Sequence, residues 1–291
     1  MKPTMLTYYV YRIAGFLVPF IPIRVGHWLL DRIADVVAWL RPRERAIVKA
    51  NIRRVMGSDP GDKELERLAR NTYRCSLKNY FDLFWMAKRP LEQIRERVET
   101  EGWEHVEQAF AQGRGVIIVS LHYGNPELSL QIVPLVGKPC WAPAEHVQPE
   151  ALFRYLCRLR SAKGLNLLPV DGPLTEILRA LRRGEGVGLA LDRDATNSGR
   201  VVEFFGAPAH LPDGFALLAL RTGVPVVLVL NWRLPGARYV LRAYPPMAFP
   251  VVKQPDDATV EQTMRQVLSV AEREMRRDPS QWVVFRRIWN D

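Results

Sequence analysis

Cysteine is scarce in this sequence of 291 residues, which contains only Cys75, Cys140 and Cys157. They are widely spaced and form no CxxC pair, so neither a zinc ribbon nor a redox dithiol is indicated. An odd number of three is also unsuited to a disulfide framework. We therefore expect a protein of the reducing, cytoplasmic compartment.

Histidine is nearly as rare, with five in the chain, and metal-binding spacings such as H-E-x-x-H do not occur. His27 and His105 fall in helical patterns, and His146 and His210 fall in proline-rich loops. The sequence therefore predicts no metal site. The fifth histidine, His122, stands in a different context.

A long uninterrupted apolar segment is also missing. Residues 5–23 are apolar and aromatic, but Arg12, Gly15, Pro19 and Pro22 weaken them as a spanning helix. The segment lacks a small-residue cleavage site and so does not resemble a signal peptide. We expect a helix lying in the membrane interface, with one spanning helix or a helix covering the core as alternatives. The residues expected to face lipid headgroups follow it: Arg24, Trp28, Arg32, Arg41, Arg43 and Arg45.

Apolar residues and arginine, by contrast, are abundant. The apolar fraction of 48% is enough for a full core, and the net charge of +10 favours anionic partners such as lipid, nucleic acid or phosphorylated carriers. No nucleic-acid-binding motif accompanies the arginine clusters at 41–54, 154–160 and 276–287, and solvated helix faces explain most of their charge. Nucleic acid is therefore not expected as a partner.

The apolar rhythm changes at Pro90. Residues 24–87 have helical spacing with a stop at Gly57 and a restart after Pro60, whereas beyond Pro90 short apolar runs alternate with helical stretches. This alternation predicts an α/β sheet with buried strands. The runs are GVIIVSL, GKPCWAP, LNLLPV, GVGLALD and VPVVLVL. We expect a helical membrane-associating extension over residues 1–90 and an α/β core over 91–291, together one structural unit.

His122 directly follows the run VIIVSL, at the end of a strand where α/β sheets usually carry their chemistry. Asn125, Pro126 and Glu127 then have the order of an N-cap, a first helical position and a first-turn acid. With Gly124 loosening the turn, the Glu127 carboxylate could fold back onto the imidazole and fix its tautomer, making His122 a general base. The commoner explanation of an isolated His-x4-Glu pattern is structural: the histidine ends a strand, and the glutamate complements the dipole of the helix that follows.

Four segments carry a family resemblance. HYGNPE, beginning at His122, resembles the H-x4-D/E box of the glycerolipid acyltransferase superfamily, and residues 186–206 resemble the second block of bacterial lipid A late acyltransferases and, more closely, of phosphatidylinositol mannoside acyltransferases. GVPVVLVL resembles the late strand of that superfamily, and PSQWVVFRRIW resembles its usual ending. The resemblance implies a single acyltransferase domain with a mixed sheet flanked by helices, in which His122 is the base and Glu127 its partner.

Departures from the superfamily narrow the expected acceptor. The F-P-E-G-T-R box that grips glycerol phosphate is absent, and VEFFGAPAHLPDG stands in its place, which argues against a simple glycerolipid acceptor. LDRD, at 191–194, stands where lipid A enzymes typically carry a Pro-Asp-Gln-Asp type segment, which favours the mannoside branch. The substrate-binding residues implied by the resemblance are Arg160, Arg193, Glu203, Phe205 and Gly206. Arg160 would also complement the dipole of a helix end without binding anything.

Other readings of these residues remain open. Asp192-Arg193-Asp194 has the form of the Asp-x-Asp motif with which many glycosyltransferases hold a metal, although the aspartates could simply hold a turn. Ser120 precedes His122 on the same strand face, but no G-x-S-x-G elbow surrounds it. A catalytically silent protein whose basic surface binds anionic lipid is a third alternative.

Together these features predict an acyltransferase that moves a fatty acyl group from a thioester donor to a hydroxyl of a glycolipid. The donor would be acyl-CoA or acyl carrier protein, used as a co-substrate with no further cofactor. The acceptor would be phosphatidylinositol-mannoside-like, with a lipid A precursor as the alternative. We expect the protein at the cytoplasmic face of the cell membrane, either peripheral or held by one N-terminal anchor.

Overall fold

The computed structural model describes residues 4–58, 60–132, 137–170, 172, 175–195 and 197–289. Its first part is helical, and a short 3-10 turn over Val18–Phe20 joins the first two helices. The helices are α1 (Met5–Leu17), α2 (Ile23–Leu40), α3 (Pro42–Met56) and α4 (Asp62–Ala87). As predicted, α3 stops at Gly57, which takes the left-handed conformation typical of a helix C-terminus.

The rest of the described chain alternates strands and helices, as the apolar runs predicted. Its elements are α5 (Leu91–Arg95), β1 (Val98–Glu101), α6 (Trp103–Ala111), β2 (Val116–Ser120), α7 (Pro126–Ile132), β3 (Cys140–Ala144), α8 (Glu150–Arg160), β4 (Leu165–Pro169), α9 (Thr175–Arg182), β5 (Gly186–Ala190), β6 (Arg200–Phe204), β7 (Ala207–Leu211), α10 (Gly214–Thr222), β8 (Val226–Leu234), β9 (Arg238–Ala243) and α11 (Asp257–Met275).

Within the described residues, one sheet of seven strands has the order β1-β9-β8-β2-β5-β3-β4. Neighbouring strands are parallel except β8 and β9, which are antiparallel. A separate antiparallel hairpin is formed by β6 and β7. The predicted α/β fold with a mixed sheet flanked by helices is therefore confirmed, whereas residue 90 as a domain boundary stays a prediction.

The central strand β2 is buried on both faces of the sheet. Ile117 and Val119 belong to a core cluster shared with α10, α11 and the β6–β7 hairpin. Val116 and Ile118 belong to a second cluster on the opposite face, shared with α4, α6 and α7. This double burial explains why β2 reads as an unbroken apolar run rather than an alternating one.

Helices α1 and α2 pack on the body through one side only. The Gly26 backbone of α2 lies against the Phe81 ring of α4 so closely that an added Cβ would meet it at 2.2 Å. The opposite side exposes large apolar side chains, and of those exposed in the described residues only Tyr80, Val201 and Val251 lie elsewhere. We call this surface the α1–α2 apolar face; its members are Met5, Leu6, Tyr9, Val10, Ile13, Phe16, Leu17, Phe20, Val25, Trp28, Leu29, Ile33, Val36, Trp39 and Leu40.

No helix in the described ranges combines the length and the apolarity needed to cross a bilayer. The expectation of a possible N-terminal spanning helix therefore finds no support in α1 or α2. The α1–α2 apolar face instead has the amphipathic character of a helix pair with one side unburied.

Candidate active site

His122 and Asp192 are brought together by the register of two parallel strands. Ser120 of β2 is paired with Ala190 of β5, and each polar residue comes two positions later, at the carboxyl end of its strand. His122 Nδ1 lies 2.9 Å from Asp192 Oδ1, and the His122 backbone N–H donates to Asp192 Oδ2 at 2.9 Å. Asp192 therefore holds both the ring and the backbone of His122.

The Asp192 carboxylate is fully buried, and it has a third donor. Trp282 Nε1–H donates to Asp192 Oδ2 at 2.8 Å. Burial opposes ionisation of Asp192, but the charge of His122 and the hydrogen bonds from His122 and Trp282 outweigh it, so the pKa of Asp192 lies below its ordinary value. An ionised carboxylate on Nδ1 makes that nitrogen the N–H donor and leaves Nε2 with its lone pair. The His122 side chain is 30% exposed, so a substrate can reach it.

Polar side chains hold the turn after His122 in place through hydrogen bonds to its backbone. Gly124 has a φ of 63°, and an added Cβ would lie 2.2 Å from the Asn231 backbone oxygen. Asn79 Nδ2 donates to the Gly124 carbonyl at 3.0 Å, and the Asn125 N–H donates to the Asn231 side chain. Asn125 Oδ1 accepts from the Leu128 N–H at 3.1 Å, which confirms that a helix capped by Asn125 starts here.

Glu127 has a different partner from the one expected. Arg160, the last residue of α8, donates Nε and Nη2 hydrogen bonds to the two oxygens of Glu127 at 2.9 and 2.6 Å. The charge of Glu127 raises the pKa of Arg160 above its ordinary value. The carboxylate on Nδ1 of His122 is therefore that of Asp192, because the first turn of α7 presents Glu127 to the end of α8. A catalytic role for Glu127 and a substrate-binding role for Arg160 stay predictions.

The partners of the other predicted site residues are groups other than the His122 imidazole. Arg193 follows Asp192 but is half-exposed and paired with Glu145. Glu203 on β6 is paired with Arg265 of α11 at 2.6 Å. Phe205 and Gly206 form the β6–β7 turn with φ values of 51° and 74°, and the Phe205 N–H donates to Glu272 at 2.8 Å. Their substrate-binding roles stay predictions.

The carboxylate oxygens of the Asp-x-Asp segment accept hydrogen bonds from other groups of the protein. Besides the donors to Asp192, Asp194 Oδ2 accepts from the Gly199 N–H at 2.7 Å and lies 3.2 Å from His210 Nδ1. In the part of the chain that the structure describes, no three or more His, Cys, Asp or Glu side chains are grouped as metal ligands. Both aspartates thus act here as acceptors for N–H groups. Asp194 holds the local turn through Gly199, as considered for it, whereas Asp192 binds the distant His122 and Trp282.

Asp192 as the partner of His122 is the residue that reading the sequence missed. A signal was present, because the runs VIIVSL and GVGLAL are both followed closely by a polar residue, and adjacent parallel strands place their carboxyl ends together. The sequence does not show that β5 lies next to β2 in the sheet. This strand order is what brings Asp192 to His122. Trp282 was noticed only as part of the C-terminal segment.

Fold and site together define an α/β protein of one mixed sheet whose histidine–carboxylate pair lies at the carboxyl ends of two parallel strands. More particularly, the chain belongs to the bacterial lipid A biosynthesis acyltransferase family, whose model matches residues 1–291. The resemblance found in the sequence is thereby confirmed.

Individual relatives are also similar. The chain is 28% identical over 203 residues to the phosphatidylinositol mannoside acyltransferase of Mycolicibacterium smegmatis, covering 68% of this chain and 66% of the relative. It is 28% identical over 204 residues to the protein of the same name from Mycobacterium tuberculosis, covering 68% of this chain and 64% of the relative. The match thus spans about two thirds of the length of these curated relatives.

Proposed function

We propose that this protein is an O-acyltransferase that moves a fatty acyl group from a thioester donor to a hydroxyl of a glycolipid. The observation that carries the proposal is the pair of His122 and Asp192, in a chain of this acyltransferase family. Since Asp192 occupies Nδ1, Nε2 is the ring nitrogen available to a substrate hydroxyl.

In the reaction, His122 Nε2 takes the proton of the acceptor hydroxyl as its oxygen attacks the thioester carbonyl carbon. The C–S bond then breaks, and the leaving thiolate takes the proton from the imidazolium, so that the products are an ester and a free thiol. Asp192 stays ionised and balances the imidazolium charge in the transition state. No cofactor is required beyond acyl-CoA or acyl carrier protein as the donor.

The developing oxyanion needs a donor near His122. Most backbone N–H groups of the turn already have acceptors: those of His122, Tyr123, Gly124, Asn125 and Leu128. Pro126 has no N–H, which leaves that of Glu127 without an acceptor in the described residues. We assign the Glu127 N–H as a donor to the oxyanion.

The acceptor that we propose is phosphatidylinositol-mannoside-like, as the names of the relatives and the segment at 191–194 suggest. A lipid A precursor is the alternative, which the family's description supports. We place the protein at the cytoplasmic face of the cell membrane, with the α1–α2 apolar face in the lipid interface and Arg12, Arg24 and Arg32 near anionic headgroups. The exposed Trp28 and Trp39 of this face are residue types favoured at such interfaces.

The test is acyl transfer by purified protein in mixed vesicles, with radiolabelled acyl-CoA or acyl carrier protein and either acceptor, in the presence of a chelator. We expect His122→Ala to lower kcat by about 10²–10⁴-fold, the usual contribution of a general base. His146→Ala, at a half-exposed histidine before α8, is the matched control and should retain activity. Undiminished acyl transfer by His122→Ala would refute the proposal. Absence of acyl transfer by the wild type to either acceptor would also refute it.

A further inference from the structure

A polar cavity of about 360 Å³ lies beside the Asp192–Asp194 segment. Its walls come from three parts of the chain: the segment after β5, the hairpin strand β7 and the C-terminal segment. The residues that line it are Asp194, Asn197, His210, Arg286, Arg287 and Ile288. None of them has a part in the proton transfer proposed for His122.

The charge in this cavity is predominantly positive. The Asp194 carboxylate is shared between the Gly199 N–H and His210. Arg286 donates to backbone oxygens, to that of Asp192 at 3.2 Å and that of Asp194 at 3.5 Å, and it forms no ion pair with a carboxylate of the described residues. Arg287 is exposed and has neither a hydrogen-bond nor an ion-pair partner among the described residues. Two guanidinium groups thus face one carboxylate, which leaves the cavity able to accept an anion.

The cavity is close to the reacting histidine. The Val283 N–H donates to the His122 carbonyl at 2.8 Å, and Arg286 comes three residues later. Three residues span at most about 11 Å even when fully extended. Arg286 is also bonded to the backbone of Asp192, the residue whose side chain holds His122. A ligand group in the cavity therefore lies within reach of a substrate that reacts at Nε2.

We propose that this cavity binds a phosphate group of one of the two substrates, with Arg287 as the principal contact and Arg286 beside it. The inference rests on the proposed function. A guanidinium donates two parallel hydrogen bonds to a phosphate, and such charge-assisted pairs are among the stronger polar contacts. The phosphate has two sources: the phosphodiester of the glycolipid acceptor, or the phosphates of the CoA or pantetheine donor. Proximity favours the acceptor, because only its inositol and sugar rings separate the phosphodiester from the reacting hydroxyl, whereas the donor's phosphates lie at the far end of the pantetheine arm.

A direct binding experiment tests the cavity without requiring activity. Glycerophosphoinositol represents the acceptor phosphodiester and adenosine 3′,5′-bisphosphate the donor end, each titrated into the full chain and followed by phosphorus NMR. We expect Arg287→Gln to weaken binding of one probe by about 10- to 100-fold, the loss of hydrogen bonds to a charged group. Arg95→Gln, at an exposed arginine of α5, should bind like the wild type. Equal affinities of Arg287→Gln and wild type for both probes would overturn the proposal.

Kinetics then identify the substrate concerned. In Arg287→Gln we expect the KM for the glycolipid acceptor to rise by about 10- to 100-fold with little change in kcat, and Arg287→Lys to restore part of it. A rise confined to the KM for the acyl donor would assign the phosphate to the donor instead. Unchanged KM values for both substrates would refute the phosphate site. Failure of the proposed function itself is distinct, because then wild type and His122→Ala would be equally inactive while the binding titration still reports on Arg287.

Discussion

Two carboxylates are candidate partners of His122, and their observed contacts assign them different roles. Asp192 is bonded to the imidazole, whereas Glu127 receives both hydrogen bonds of Arg160. We expect Asp192→Asn to lower kcat by up to about 10⁴-fold, as when the aspartate of a catalytic triad is made neutral. Glu127→Gln should mainly raise the KM for the acceptor, because Arg160, the predicted substrate-binding residue, loses the carboxylate that holds its side chain in place. Steady-state kinetics of acyl transfer measure both.

The control for these variants is Asp62→Asn, a neutralised carboxylate that is exposed at the start of α4. It should change neither parameter. If Glu127→Gln lowered kcat as much as Asp192→Asn at unchanged KM, Glu127 would be the partner of the imidazole in the reacting complex. The H-x4-E pairing expected from the sequence would then hold for that complex.

The contrast between these carboxylates shows what a sequence can and cannot reveal about a site. His122 was identifiable because it ends an apolar strand next to a helix cap, which are local features. Asp192 was not, because its pairing with His122 depends on β5 lying beside β2, a contact between residues 70 positions apart. Trp282 is further still, at 90 positions from Asp192.

At the scale of elements, the turn between β2 and α7 depends on a glycine that leaves no room for a side chain. An added Cβ at Gly124 would lie 2.2 Å from the Asn231 backbone oxygen, at a φ of 63°. Gly57, after α3, has a φ of 67° and open space around the same position, which makes it a matched control. We expect Gly57→Ala to cost about 1–2 kcal/mol from conformation alone, and Gly124→Ala to cost more because the clash is added.

Chemical unfolding of both variants measures that difference, and activity measured at a temperature where both are folded reports on the turn. Gly124→Ala should lose acyl transfer because His122 and the Asn125 cap are displaced together. Equal losses of stability in the two variants would mean that the turn relaxes around the methyl group and that Gly124 matters only through its φ.

The α1–α2 apolar face carries the membrane proposal, and it also has internal controls. Phe16 and Trp39 are 69% and 70% exposed, and Val251, outside the face, is 62% exposed. We expect Phe16→Glu or Trp39→Glu to weaken binding to anionic vesicles by about 10- to 100-fold, since burying one such side chain contributes about 1.5–3 kcal/mol. Val251→Glu should leave binding unchanged. Vesicle co-sedimentation measures all three, and an equal effect of the three substitutions would mean that only net charge governs binding.

Strands whose sequence is a short apolar run were the easiest to predict. The strands β2, β3, β4, β5 and β8 all overlap the apolar runs identified from the sequence, and β3 and β8 extend beyond the ends of their runs. The strands β1, β6, β7 and β9 were missed, because they alternate exposed or half-buried residues with buried ones, or are mostly exposed. A short alternating pattern is a weaker signal than an unbroken apolar run, and its pairing again depends on distant residues.

At the scale of the whole molecule, one buried carboxylate joins parts that are far apart in the chain. Asp82 of α4 is fully buried, and it contacts four other elements or turns. His27 of α2 lies 2.7 Å from Oδ1, while Oδ2 accepts from Asn125 at 2.8 Å and Tyr239 at 2.7 Å and lies 2.8 Å from Arg233 Nη1. Asp82 thus links α2, the sheet and the turn that follows His122.

Removing this one charge should therefore destabilise the entire fold. In Asp82→Asn the buried Arg233 loses its counter-charge, and breaking a buried ion pair in this way costs about 3–5 kcal/mol. Asp35→Asn is the matched control, because Asp35 makes a two-bond pair with Arg74 near the surface, where such pairs contribute about 0–1 kcal/mol. Urea unfolding followed by circular dichroism measures both, and equal small losses would show that Arg233 finds other acceptors.

The same group gives the stability a definite dependence on pH. Burial opposes ionisation of Asp82, but Arg233, His27 and Tyr239 outweigh it, so its pKa in the folded state lies below the ordinary value of 3.8. A depressed pKa contributes stability that is fully present above 3.8 and is lost as the pH falls through the folded-state pKa. The free energy of unfolding of the wild type should therefore decrease as the pH is lowered from 3.8. Asp82→Asn has no carboxylate to protonate at this position, so its free energy of unfolding should decrease less steeply. Parallel curves for the two proteins would mean that other carboxylates, Asp192 among them, carry the acid sensitivity and that Asp82 ionises alike in the folded and unfolded states.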